Sequence, residues 1–207
     1  MKQTIQAKDM YLKNENYFLC FFIIAISLFF FKNVLASDDN NKVLNYLKSL
    51  KNFSAAFIQN DGINISEGRV YIGEKRVRAE YFLPTKLLIV MDSDKAMYYN
   101  YDLEEDEFFN PRNTNAWFFY DVFRNPLFFA DSSIKEENNE LIIEKTGLDN
   151  DQRVFLIKVY FEKNPLVLRG VEILIDNEFL KLSIYNHTFN EDFDKDFFKL
   201  ISPKFLN

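Results

Sequence analysis

Few residues in this chain are suited to chemistry. His187 is the only histidine, and Glu191 and Asp192 follow it closely enough to suggest a metal or acid-base cluster. At the end of a strand and beside solvated acids, such a lone imidazole reads as a surface residue. Asp102 to Glu107 has the acidity of a calcium loop but lacks the alternating ligand spacing and central glycine that such a loop needs. It reads as the solvated tip of a hairpin. No Gly-x-Ser-x-Gly elbow and no glycine-rich phosphate loop occurs, and no pair of acids is marked out by spacing for glycoside hydrolysis. The only cysteine, Cys20, lies in the first 36 residues, so the remainder has no thiol for a disulfide, a nucleophile or zinc. The expectation is a protein that is not an enzyme and needs neither cofactor nor metal.

The first 36 residues carry an address. Lys2, Lys8 and Lys13 form a basic start, Phe18 to Phe31 is an apolar run of 14 residues, and Val34-Leu35-Ala36 ahead of Ser37 offers a cleavage site. The run is shorter than the ~20 residues a bilayer span needs. Residues 1-36 therefore read as a cleavable export signal, and 37-207 as a single domain. The competing reading, an uncleaved anchor, draws on the long basic region and on Lys32 after the run. Cys20 follows Tyr17-Phe18-Leu19, with no small residue just before it, and does not look like a lipidation site.

The signal holds four lysines against Asp9 and Glu15, so the net charge of -6 for the whole chain becomes -8 for the remainder. Nucleic acid and anionic headgroups are poor partners for such a surface. Phenylalanine is the compositional outlier, with 24 in the chain and 18 after residue 36. So many rings require a large core or an apolar cavity.

The elements that must position these rings follow from periodicity. Asp38 to Leu50 places Val43, Leu44, Leu47 and Leu50 on one side of a helix. The period then changes to two: Phe53, Ala55 and Phe57 alternate with Ser54 and Ala56, and Val70 and Ile72 with Arg69, Tyr71 and Gly73. Asp61-Gly62 marks the turn between these runs. In the next strand Val77, Ala79 and Tyr81 share one face, and Arg76, Arg78 and Glu80 share the other, which reads as wet. Leu87 to Met91 and Ala96 to Tyr101 continue the meander. Trp117 to Phe123 covers nearly every side of a helix with apolar groups, so it must be covered on more than one side, as a core helix or as a plug over a cavity. Ile134 to Glu136, Leu141 to Lys145, Val154 to Glu162, Val167 to Asp176 and Phe179 to Phe189 return to strands. Val154 to Phe161 is apolar in both parities apart from Lys158 and reads as covered on both faces. The fold expected is mainly β with a few helices: one large, curved antiparallel sheet or partly closed barrel.

Several segments carry a family resemblance: Phe53-Ser-Ala-Ala-Phe57-Ile-Gln59, Glu67-Gly68-Arg-Val-Tyr71-Ile72, Arg76-Val-Arg78-Ala-Glu80-Tyr81 running to Pro84, Leu87-Leu-Ile-Val-Met-Asp92 and Met97-Tyr-Tyr-Asn-Tyr101-Asp-Leu103. In this order, after a signal and a short helix, they resemble the LolA family of periplasmic lipoprotein carriers. The resemblance implies an unclosed antiparallel β-barrel capped by helices around an apolar cavity. It also implies a soluble periplasmic chaperone that shuttles lipoproteins from the inner to the outer membrane by holding their acyl chains. Its partners would be an inner-membrane lipoprotein-releasing transporter and an outer-membrane lipoprotein receptor, with the carrier itself a monomer. The alternative is a related periplasmic lipid-binding sensor or lipid-transfer domain. On this reading Phe53, Phe57, Val70, Ile72, Val77, Ala79 and Tyr81 face the cavity, and Trp117, Phe118, Leu127 and Phe128 form the lid. The family's Arg-Pro pair, whose arginine latches the lid, is replaced here by Gly73-Glu74-Lys75. That leaves Lys75 as the candidate latch.

Overall fold

The computed structural model describes residues 39-205. The expected signal at 1-36, Cys20 included, lies outside the described residues. All elements that concern the site belong to the compact unit Val43–Asn207.

Residues 39-49 form helix α1, and the spacing of Val43, Leu47 and Leu50 puts all three fully into the core. Six strands follow as a meander: β1 (Phe53–Asn60), β2 (Ile65–Ile72), β3 (Val77–Leu83), β4 (Leu87–Met91), β5 (Ala96–Asn100) and β6 (Glu105–Phe109). Helix α2 (Trp117–Arg124) lies between two 3-10 turns, Pro111–Asn113 and Pro126–Phe129. A second meander follows: β7 (Ser133–Glu137), β8 (Glu140–Leu148), β9 (Val154–Glu162), β10 (Val167–Ile175) and β11 (Glu178–Thr188).

The strands form one sheet of eleven in the order β6-β5-β4-β3-β2-β1-β11-β10-β9-β8-β7, with every neighbouring pair antiparallel. The β1–β11 pairing joins the two meanders, and the sheet ends at β6 and β7 without closing. This is the unclosed antiparallel architecture expected. Local chemistry sets the turns. Asp61 Oδ1 accepts from the backbone N–H groups of Ile63 and Asn64 at 2.9 and 2.7 Å in the β1–β2 turn, and Asn138 and Asn139 supply the two positive φ angles of the β7–β8 hairpin.

Four local expectations need correcting. The stretch Asp102 to Glu107 is only half a hairpin tip, because β6 begins at Glu105 and pairs with β5 through Glu107. In β9 the odd-numbered Phe155, Ile157, Val159 and Phe161 are buried, while Leu156, Lys158 and Tyr160 are half-buried. One face is core, and the other is shaded by long cross-strand partners such as Glu172, which accepts from Tyr160 Oη at 2.7 Å. The supposedly wet face of β3 is also covered. After β11 the chain recrosses the outside of the sheet, and the carbonyls of Phe198 and Phe197 accept from Arg76 Nη1 and Arg78 Nη1 at 2.9 and 2.7 Å. Phe193, Phe197 and Phe198 cluster with Tyr71 there, and Leu200 packs on the outward core of Leu88, Val90, Met97 and Tyr99.

His187 is likewise not a free surface residue. Its Nε2 lies 2.7 Å from the carbonyl oxygen of Leu168, and its ring packs beside Phe53 and Phe189. From the other side, the Tyr46 hydroxyl accepts from the Leu168 N–H at 3.1 Å. Both side chains serve the irregularity in β10 between Leu168 and Gly170, where the ladder leaves backbone groups to be satisfied.

Candidate functional site

Strand register decides which side chains meet on the inner face. Val70, Ala79 and Ile89 are successive partners across β2, β3 and β4, and Val77 pairs with Met91 in the next row. On the other side Phe57 pairs with Ile184 of β11. These residues, with Tyr81 and Leu182, form the floor of a cavity of about 190 Å³. Its roof comes from α2 and the residues before it: Asn115, Ala116, Phe119 and Phe123. Among the described residues, the only polar side-chain groups in this lining are the Tyr81 hydroxyl and the Asn115 amide.

The hollow exists because inward positions near its centre are small. Ala79 stands between Val70 and Ile89, and Ala116 faces them from the roof. At Gly68 a Cβ would come within 2.5 Å of Phe57 Cζ, so the Phe57 ring lies over the glycine and reaches Tyr81, edge to face at 5.0 Å. The Tyr81 hydroxyl donates to Gln59 Oε1 at 2.8 Å, which satisfies the one phenol in the lining. Although the side chain as a whole is half-buried, its hydroxyl end is enclosed, and desolvation pushes its pKa up to about 12. It is a neutral donor at any physiological pH.

Helix α2 separates this cavity from the aromatic core. Phe118 and Val122 on its other side are fully buried, and Phe118, Trp117 and Phe128 surround the Phe155 ring at 5.0 to 6.2 Å. Polar contacts pin the helix at its margins. Arg112 makes a two-pronged pair with the buried Asp121, at 2.9 and 3.0 Å, and also donates to the Ser93 carbonyl. Arg124 donates to the carbonyls of Leu50 and Glu74, and the Tyr120 hydroxyl lies 3.4 Å from that of Lys75.

The structure brings Phe57, Val70, Val77, Ala79 and Tyr81 together around the cavity. Phe53, Ile72 and Phe118 are packed into the core with no exposure, and Trp117 and Phe128 pack against that core. Leu127 is 78% exposed. At Lys75 the backbone carbonyl, not the ammonium, meets the helix. Sequence reasoning missed Ile89, Met91, Leu182 and Ile184, although simple alternation in their strands marks them. It also missed Phe119 and Phe123, because a helix apolar all round gives no phase.

No group of three or more His, Cys, Asp or Glu among the described residues is arranged to hold a metal, and no helix among them is long and apolar enough to cross a membrane. Among solved structures the chain is similar to an uncharacterized conserved protein from Thermus thermophilus, with 11% identity over 77% of this chain and 95% of that one, at a TM-score of 0.48. It is also similar to MucB, with 9% identity over 78% of this chain and 62% of that one (TM-score 0.47). The Pseudomonas aeruginosa MucA/MucB complex matches with 11% identity over 78% and 60% (TM-score 0.46). No curated protein matches. The model of the family described as outer membrane lipoprotein carrier protein LolA matches residues 48–201, and the chain belongs to that family.

Proposed function

We propose that this protein is a soluble periplasmic carrier that takes the acyl chains of lipoproteins into its apolar cavity and shuttles them from the inner to the outer membrane. The observation that carries this reading is an apolar cavity roofed by one short helix whose margins are pinned by polar contacts. An acyl chain gains about 0.8 kcal/mol per buried methylene, so it cannot cross an aqueous compartment unaided. A sleeve of side chains such as Phe57, Ile89 and Phe123 supplies that burial without polar chemistry.

The roof must move for this to work. A cavity of about 190 Å³ is near the size of an engineered 150 Å³ cavity that accepts benzene, far below a set of acyl chains. The latch we assign is Arg124 rather than Lys75, because the cation sits on the helix and reaches the carbonyls of Glu74 and Leu50. Phe57, Val70, Val77, Ala79 and Tyr81 are the residues assigned to acyl contact.

Residues 1-36 serve as the cleaved export signal in this reading, and the domain 37-207 works as a monomer. It receives cargo from an inner-membrane lipoprotein-releasing transporter and yields it to an outer-membrane lipoprotein receptor. Direction then follows from a difference of affinities between carrier and acceptor. Mass spectrometry of material that co-purifies from the periplasm is the test. Triacylated proteins are the expected cargo, lost in Phe57→Glu and Tyr81→Glu proteins that remain folded. Recovery of free lipids alone would overturn the shuttle in favour of a lipid-binding sensor or transfer domain.

A further inference from the structure

The cavity shares part of its roof with a second space. Asn115 and Phe119 line it from within and also line a second cleft of about 410 Å³, bordered by Ile63 of the β1–β2 turn and by Phe179 of the β10–β11 hairpin. Two side chains thus serve both spaces as a common wall. Asn115 is held in that wall from two sides: its Nδ2 donates to Glu178 Oε2 at 2.7 Å, and its Oδ1 accepts from Arg153 Nη2 at 2.9 Å. Arg153 is itself tied to the buried Asp149 at 2.8 Å. Phe119 is an apolar ring and has packing alone to hold it.

The outer cleft mixes apolar side chains with the carboxylates of Asp61 and Glu178, and no cationic side chain among the described residues lines it. Backbone N–H groups of Asn64 and Ile63 hold the Asp61 carboxyl below the usual carboxylate range, so it is ionised at neutral pH. The nearby Arg153 guanidinium is already matched by Asp149. A chain that enters the cavity past Asn115 and Phe119 therefore leaves its polar end facing a net negative charge, since one guanidinium stands against Asp149, Glu178 and Asp61.

We propose that this cleft is the vestibule of the acyl cavity and sorts cargo by head group, admitting long-chain amphiphiles whose polar end is cationic or a neutral amide and excluding those that end in a carboxylate or phosphate. The inference rests on the acyl-binding reading above and adds the polar half of the ligand. An N-acylated polypeptide belongs to the admitted class, and a free fatty acid or an anionic phospholipid does not.

The test is displacement of a neutral fluorescent naphthylamine probe from the purified protein by dodecylamine, dodecanol and laurate, each below its micelle concentration. Dodecylamine is expected to displace the probe at a concentration at least about fivefold below laurate. In a Glu178→Gln, Asp61→Asn protein that ratio falls toward one, while dodecanol binds as before. Glu137→Gln, beside the β7–β8 turn on the opposite rim, leaves the ratio unchanged. Equal displacement by amine and laurate, an unchanged ratio in the double variant, or an equal change in Glu137→Gln overturns the vestibule. If neither the probe nor dodecanol binds, the acyl cavity itself falls, and the vestibule with it.

Discussion

Arg124 directs its charge at two carbonyl oxygens, those of Leu50 and Glu74, and keeps a buried Nε–H with no acceptor. Burial lowers the guanidinium pKa, yet arginine stays charged. Hydrogen bonds from a charged group contribute about 1.5–3 kcal/mol each, and a buried unsatisfied donor takes back about 1–3 kcal/mol. The latch therefore nets only about 2–3 kcal/mol, small enough for a lid that must open. Arg124→Met is expected to lower unfolding stability by about 2–3 kcal/mol, while amide exchange in α2 and release of a bound probe accelerate severalfold. Lys75→Ala should alter neither, because the hairpin contributes its carbonyl there. Unchanged exchange in Arg124→Met removes the latch. His187 carries a second prediction at this scale. Desolvation lowers its pKa in the folded protein, against the opposing effect of the Leu168 carbonyl, so below about pH 6.5 the unfolded chain binds the extra proton. Stability should be level above that pH and fall as the pH drops through the window between 6.5 and the lower folded value. Urea midpoints measured from about pH 5 to pH 8 read the slope, and a His187→Gln protein with the same slope would refute the assignment.

Elements make local chemistry legible when the deciding neighbour is near in sequence. The inward parity of Val77, Ala79 and Tyr81 was readable because a strand has a period of two and its partners are adjacent hairpins. The outward face of the same strand was wrongly read as wet, since Arg76 and Arg78 meet Phe198 and Phe197 across separations of 122 and 119 residues. Nothing in the alternation announces a strap from the far end of the chain. The apolar outward residues Leu88, Val90, Met97 and Tyr99 were the available signal, because a sheet face that large and apolar needs a cover. The Arg78 guanidinium also lies 4.3 Å above the Phe197 ring, so the two arginines hold the strap by charge, carbonyl and π-face together. An Arg76→Ala, Arg78→Ala protein should lose about 2–4 kcal/mol of stability. Trypsin should then cut after Lys195 and Lys199 well before it cuts elsewhere. Equal resistance in variant and parent would place the strap's stability in its phenylalanines instead.

At the scale of the whole molecule, topology places the roof. The sheet ends at β6 and β7, and the segment between them carries α2, which roofs the inner face. Two meanders were legible in the sequence, but their junction through β1 and β11 was not, because Phe57 and Ile184 are brought together only by the completed sheet. The same topology makes the single tryptophan a reporter of the roof. Trp117 sits on α2, with Phe128 and Phe155 at 5.9 and 6.0 Å and the Arg112 guanidinium 5.8 Å from its ring. A ligand of benzene size fits the closed cavity and leaves those neighbours in place. A chain of twelve or more carbons does not fit about 190 Å³ and must displace the helix. Benzene should therefore raise the melting temperature without altering Trp117 emission, whereas long-chain alcohols should shift the emission in proportion to occupancy. Affinity should climb with chain length by up to about 0.8 kcal/mol per methylene once the helix has moved, because the opening cost is met only once. Long-chain binding with an unchanged Trp117 spectrum and unchanged amide protection in α2 would mean that the chains lie outside this cavity and that the roof is simply part of the core.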